Sequence, residues 1–290
     1  MQDVYFDRNV FADICEPHRR DISPDAVNKI RCARTDGRIR ILSSYILFDE
    51  TIKTMLRSGH EYDRQVKTLL SLIDQGRVIK HHDKLLMDDL TSYAFRCPAY
   101  VRTEEMPLGF KRVLDPKKNH DDLIDLSGKI KDFYETAGQN ITEGLRSARL
   151  EMEKLSSGEN IVQGEVENFE ELLYNSAREV IKSYLERHPD NNVRERCHAR
   201  GIEGLLKVKS FRLYSLYYIW IIHADMLAKQ GVRKMTANDW GDFMHAVSSS
   251  AAHIFVTQEK HAPNKLPGIL TALPVNKYEV LSLAQFIERL

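Results

Sequence analysis

The sequence predicts an α/β fold: a central parallel sheet flanked by helices, carrying a large and mostly helical insertion. Three observations predict it. Short β-rich runs, Val4-Tyr5-Phe6, Ile39-Arg40-Ile41-Leu42 and Val78-Ile79, alternate with stretches of helical spacing, the pattern of parallel βαβ units. The alternation returns near the other end of the chain, at His253-Ile254-Phe255-Val256-Thr257 and Tyr278-Glu279-Val280-Leu281. Between them, from about residue 83, no strand pattern appears until after residue 250.

Taken in order, the first strand ends at Asp7-Arg8-Asn9, and Val10 to Ile14 open a helix. The second ends at Ser43-Ser44, followed by an amphipathic segment with Ile46, Leu47, Ile52 and Met55 near helical spacing. A leucine-rich helix around Leu69 to Ile73 leads through Gly76 into the third strand. Pro98, Pro107, Gly109 and Pro116 then mark irregular chain, and Asp121 to Gln139 and Glu165 to Arg187 read as long charged helices. Lys207 to Gln230 is a strongly apolar helix that Gly231 can end, and Thr236 suits the N-cap of a helix running through Ala252. Leu283 to Leu290 closes the chain as a helix. The expected organisation is an α/β core of 1–82 and 206–290 with a helical insertion at 83–205.

Composition narrows the function. The chain has 290 residues, 42% hydrophobic and 29% charged, enough to bury a sizeable core. Its 42 basic residues balance 42 acidic ones, which excludes gripping nucleic acid or anionic membrane by bulk charge alone. Four cysteines without a CxxC pair argue against a disulfide framework or a zinc ribbon. The N-terminus lacks an apolar signal core, and Leu213 to Leu227 is broken by His223 and Asp225, so a cytoplasmic protein with no membrane partner is expected.

In open parallel sheets ligands bind beyond the carboxyl ends of the strands. Asp7 stands at the end of the first strand, Glu50 six residues past the strand-end Ser44, and Glu259 two past Thr257. Asp242 lies a turn and a half into the preceding helix. Acids gathered from such distant positions repel one another unless divalent cations join them, and Mg²⁺ or Mn²⁺ takes oxygen ligands.

Several of these positions also have plain structural roles. Asp7 suits a helix cap. Asp242 lies opposite the apolar stripe of Trp240, Phe243, Met244, Val247 and Ala251. Asp49 competes with Glu50, and Asp239 suits a helix N-terminus. Arg19, Arg20, Lys29, Arg31, Arg34, Arg38 and Arg40 form either a phosphate track or a solvated basic face. His81-His82, with Lys80 and Lys84, stands at the end of the third strand and borders the same edge. The aromatic run from Phe211 to Trp220 suits core better than base stacking.

At these residues the chain resembles the PIN-domain nucleases. Val4 to Val10 is similar to that family's opening strand and its terminal acid, and Ser44 to Glu50 to its second element. Asn238-Asp239-Trp240-Gly241-Asp242-Phe243-Met244-His245-Ala246 resembles the D-x-x-H-A helix, and Thr257-Gln258-Glu259 the T-x-D strand end. The resemblance covers roughly residues 1–82 and 206–290. It implies metal-dependent hydrolysis of phosphodiester bonds, most naturally in single-stranded RNA, with DNA as the other substrate class. Asp7, Glu50, Asp242 and Glu259 would hold one or two Mg²⁺ or Mn²⁺ ions and carry the catalysis. Asn9, Thr257 and Asp239 would orient them, and Arg8, Arg38 and Arg40 would meet substrate. The family often works with an inhibitor protein or a homodimer mate. Glu259 stands where the family usually has aspartate, which keeps the charge and shifts the carboxylate outward. That change motivates an alternative: a catalytically weak or inactive module that binds nucleic acid or protein.

Overall fold

A computed structural model describes residues 1–16, 22, 24–54, 59–113, 115, 120–155, 178, 181–215, 237–258 and 278–290. The chain divides into two compact units. The first comprises Met1–His82, Val101–Ile130 and Ser248–Leu290, the second Asp83–Tyr100 and Lys131–Val247. The division places segment 101–130, expected in the insertion, in the first unit, and segment 206–247, expected in the core, in the second.

The first unit is built on a six-stranded sheet in the order β4-β3-β2-β1-β5-β6. Its strands are β1 (Gln2–Phe6), β2 (Ile39–Ser44), β3 (Ile73–Ile79), β4 (Thr103–Glu105), β5 (Ile254–Val256) and β6 (Glu279–Leu281). All pair in parallel except β4, which runs antiparallel to β3. The fold is therefore α/β with a mostly parallel sheet. The chain steps from β1 out to β4, then resumes on the far side of β1 with β5 and β6. Strand order reverses between β1 and β5, which makes their carboxyl ends the crevice where such sheets take ligands.

Alternation along β1 fixes what each face does. Val4 and Phe6 enter one apolar core with Ile39, Ile41, Ile254, Val256 and Leu281. Helices α1 (Arg8–Cys15), α2 (Pro24–Thr35), α3 (Tyr45–Lys53) and α4 (Gly59–Leu72) contribute Phe11, Ile30, Leu47 and Leu69 to it. The closing helix, here α10 (Leu283–Arg289), adds Phe286, whose ring meets Phe6 edge-on at 5.4 Å. Each such side chain contributes about 1.5–3 kcal/mol by leaving water. Tyr5 faces the other way, paired in register with Leu42 and Phe255 and stacked on Phe255 at 5.8 Å.

Caps set the element ends. Ser282 and Gln285 form a reciprocal capping box at α10. Between α2 and β2 the turn closes on Gly37 at φ 69°, with the Gly37 and Arg38 amides donating to the Arg34 and Ala33 carbonyls. That left-handed position suits glycine at the end of a helix.

The second unit includes α5 (most of His82–Phe95), α8 (Asn191–Arg200) and a 3-10 helix over Ile202–Lys207. Leu86, Leu90, Ile181, Leu185, Cys197 and Phe211 form its core. Further helices are α6 (Leu108–Val113), α7 (His120–Leu155) and α9 (Ala237–Ser249). Among the described residues, no helix is long and apolar enough to cross a membrane.

Two elements depart from the sequence expectation. The expected strand-free stretch from residue 83 contains β4, a polar three-residue strand at the sheet edge. The basic segment before β2 contains α2, whose buried Ala26, Val27, Ile30 and Ala33 follow helical spacing. Thr236 and residues 216–230, expected as a cap and a helix, lie outside the described residues.

Candidate functional site at the carboxyl edge of the sheet

Asp7 follows β1 directly and is the N-cap of α1. Its Oδ1 accepts the Val10 amide at 2.9 Å. Its Oδ2 accepts the Thr257 hydroxyl and, at 3.3 Å, the Gln258 amide, both just past β5. The Asp7 amide donates to Val256 at 3.1 Å, closing the backbone ladder at the same place. The residue is only 4% exposed, and these uncharged donors fix the orientation of its carboxylate.

Ser44 ends β2 level with Asp7, because Tyr5 pairs with Leu42. Its hydroxyl caps α3 by accepting the Leu47 amide at 3.3 Å. It also lies 2.6 Å from the Tyr5 hydroxyl. Glu50 stands six residues on, half-buried in α3.

The Tyr5 phenol links these groups. Burial pushes it well above the ordinary tyrosine range; hydrogen bonds to Ser44 and Ser248 pull it down. The negative charges of Glu50 and Asp7 push it up again. Two carboxylates, 43 residues apart in sequence, therefore act on one buried hydroxyl that stays protonated at neutral pH. Tyr278, also buried and raised by burial, meets Ser249 at 2.5 Å.

The structure thus brings Asp7, Thr257, Ser44 and Glu50 to one edge. Asn9 is the second residue of α1 and half-buried. Arg8 is the first, with its guanidinium 3.5 Å from Gln65 on α4. Asp239 and Asp242 lie in α9, but their side chains, like Glu259, lie outside the described residues. His245 in the same helix is buried.

Arg38 and Arg40 are not at this edge. They stand at the amino end of β2, the opposite end of the parallel strands from Ser44. Arg40 holds Asp3 through two hydrogen bonds of 2.7 and 3.0 Å. Arg38 donates to the Leu290 carbonyl at 2.6 Å. Arg34 donates to the Ser71 and Ile73 carbonyls. The expected phosphate track is, at these positions, a set of links between elements. The reason is strand direction: β2 begins at Ile39, so residues beside its start cannot reach its end.

Sequence reading missed Tyr5 and Ser248. The signals were present: Tyr5 precedes Asp7 by two and shares its face of the strand, and Ser248-Ser249-Ser250 breaks an apolar helix just before a strand.

Carboxylate oxygens from Asp7 and Glu50 are the donor type that suits Mg²⁺ or Mn²⁺. Compared with protein-family models, with curated proteins and with solved structures, the chain matches none.

Proposed function

We propose that the chain is a PIN-like, metal-dependent nuclease that hydrolyses phosphodiester bonds in single-stranded RNA. One observation carries this reading: Asp7 ends β1 beside the point where strand order reverses, level with Ser44, which starts the helix bearing Glu50, and both acids act electrostatically on the buried Tyr5 hydroxyl. Two carboxylates at that edge put negative charge where such sheets take ligands. Asp7 and Glu50 would hold Mg²⁺ or Mn²⁺, which would supply an activated water and charge compensation on the leaving oxygen.

The chain's own residues prepare that site. Thr257 and Gln258 lock the Asp7 rotamer, while Ser44 sets the start of the helix that carries Glu50. Tyr5 remains a neutral hydrogen-bonding group beside both acids. The sequence resemblance adds Asp242 and Glu259 to the acid set.

The test is cleavage of end-labelled single-stranded RNA by purified protein with Mg²⁺ or Mn²⁺. EDTA, Asp7→Asn or Glu50→Gln should each abolish it; cutting that survives both substitutions contradicts the assignment. One observation favours a second reading, a binding module without turnover. The N-cap bond and the Thr257 and Gln258 donors give Asp7 a structural reason to be there. That module binds RNA with salt-weakened affinity and yields no product with any metal.

A further inference from the structure

The carboxyl end of β3 carries a group of rings that the proposed chemistry does not use. Ser44 pairs with Ile79, so Lys80 and His81 begin just beyond the level of Ser44 and Asp7. Two interstrand spacings, ~10 Å, separate the ends of β3 and β1. His81 is exposed. Its ring packs on His82 with centroids 4.0 Å apart, tilted by 41°. It also meets Tyr45, edge-on at 5.8 Å.

Tyr45 is itself held in place. Its hydroxyl donates to Glu104 at 2.7 Å, engaging that acid, and its ring meets Phe110 at 4.8 Å, which in turn stacks on Phe48 at 4.4 Å. The outer ring thus rests on rings anchored in the core. Holding an exposed aromatic plane in this way removes much of the entropic cost of stacking a ligand on it. The Lys80 amide donates to the Arg102 carbonyl at 3.0 Å, which sets two basic residues on the backbone at this end of β3. An aromatic plane held open to solvent on a packed base is the chemistry on which unpaired bases stack.

We infer that the exposed His81 ring, seated against His82 and Tyr45, is the stacking platform for a nucleobase of a single-stranded polynucleotide lying along this edge. The inference rests on reading the edge as a nucleic-acid site, and names where the chain next to the scissile phosphate is gripped. Because every base presents a π-face, the platform favours unpaired over duplex substrate without reading sequence.

The test is fluorescence anisotropy in EDTA with a labelled oligoribonucleotide and a matched probe lacking bases but keeping its phosphates. His81→Ala should weaken binding of the first roughly 5- to 150-fold, the ratio that a loss of 1–3 kcal/mol produces. His81→Phe should bind as the natural protein does. The baseless probe should bind weakly and show no difference between the natural protein and His81→Ala. Unchanged binding by His81→Ala, an equal loss on the baseless probe, or no binding by the natural protein overturns the inference. Cleavage with Mn²⁺ separates the two proposals: stacking without any product sinks the nuclease alone, whereas unaltered KM in a cleaving His81→Ala sinks the platform alone. Equal melting temperatures establish that the variants fold, as expected for an exposed ring.

Discussion

The Thr257 hydroxyl donates to the Asp7 carboxylate, joining the ends of β5 and β1 across 250 positions of sequence. The same carboxylate caps α1 through Val10. Asp7 therefore has a structural task that is separable from any chemistry its charge performs.

Substitution at Asp7 should separate the two. Asparagine is as good an N-cap as aspartate, so Asp7→Asn should cost only about 1 kcal/mol of stability, from the Gln258 contact, and still abolish RNA cleavage. Asp7→Ala removes the cap and strands the Thr257 hydroxyl, and should cost about 2–4 kcal/mol. Urea denaturation of both variants beside the natural protein measures the difference. Equal destabilisation would show that the cap does not determine the local fold.

Alkaline pH should unfold the protein through its buried phenols. Burial raises Tyr5 and Tyr278 above the unfolded value of about 10. Their contribution is complete below pH ~10. Above it the unfolded chain releases protons that the folded chain retains, so stability falls as pH rises. Each such tyrosine should cost about 1.4 kcal/mol per pH unit until its folded value is reached. Urea midpoints between pH ~9 and ~11 report the slope, and Tyr5→Phe should reduce it. A midpoint that stays level across that range would contradict the account.

Arg40→Gln tests which edge of the sheet is the working one. Arg40 and Asp3 form a partly exposed pair at the amino end of the strands. Losing it should lower stability by under about 1 kcal/mol. KM for RNA and the salt dependence of binding should not change. A reduced salt slope in Arg40→Gln would return this arginine to the substrate path.

What the sequence revealed follows from how local each signal is. The ends of β1, β2 and β5 were readable because a β-branched or aromatic run meets a polar residue there, and alternation decides which side chains share a face. The apolar spacing of α2, at Ala26, Val27, Ile30 and Ala33, is faint because Lys29, Arg31 and Arg34 are interleaved with it. β4 has no alternation to read: Thr103-Glu104-Glu105 is a strand only because β3 lies beside it. Arg38 and Arg40 belong to the amino end of β2, a placement that follows from strand direction alone. The meeting of Glu50 and Asp7 at Tyr5 could not be read locally, since it depends on the order in which strands assemble.

Glu50→Gln is the most direct test of the central claim, because Glu50 is half-buried and its loss should leave the fold intact. A Mn²⁺ concentration ~100 times the dissociation constant should stabilise the natural protein by roughly 2.7 kcal/mol and support cleavage of single-stranded RNA. Both effects should vanish together in Glu50→Gln while its metal-free melting temperature matches that of the natural protein. Full Mn²⁺ stabilisation and undiminished cleavage in that variant would contradict the claim that Asp7 and Glu50 form one cation-holding site.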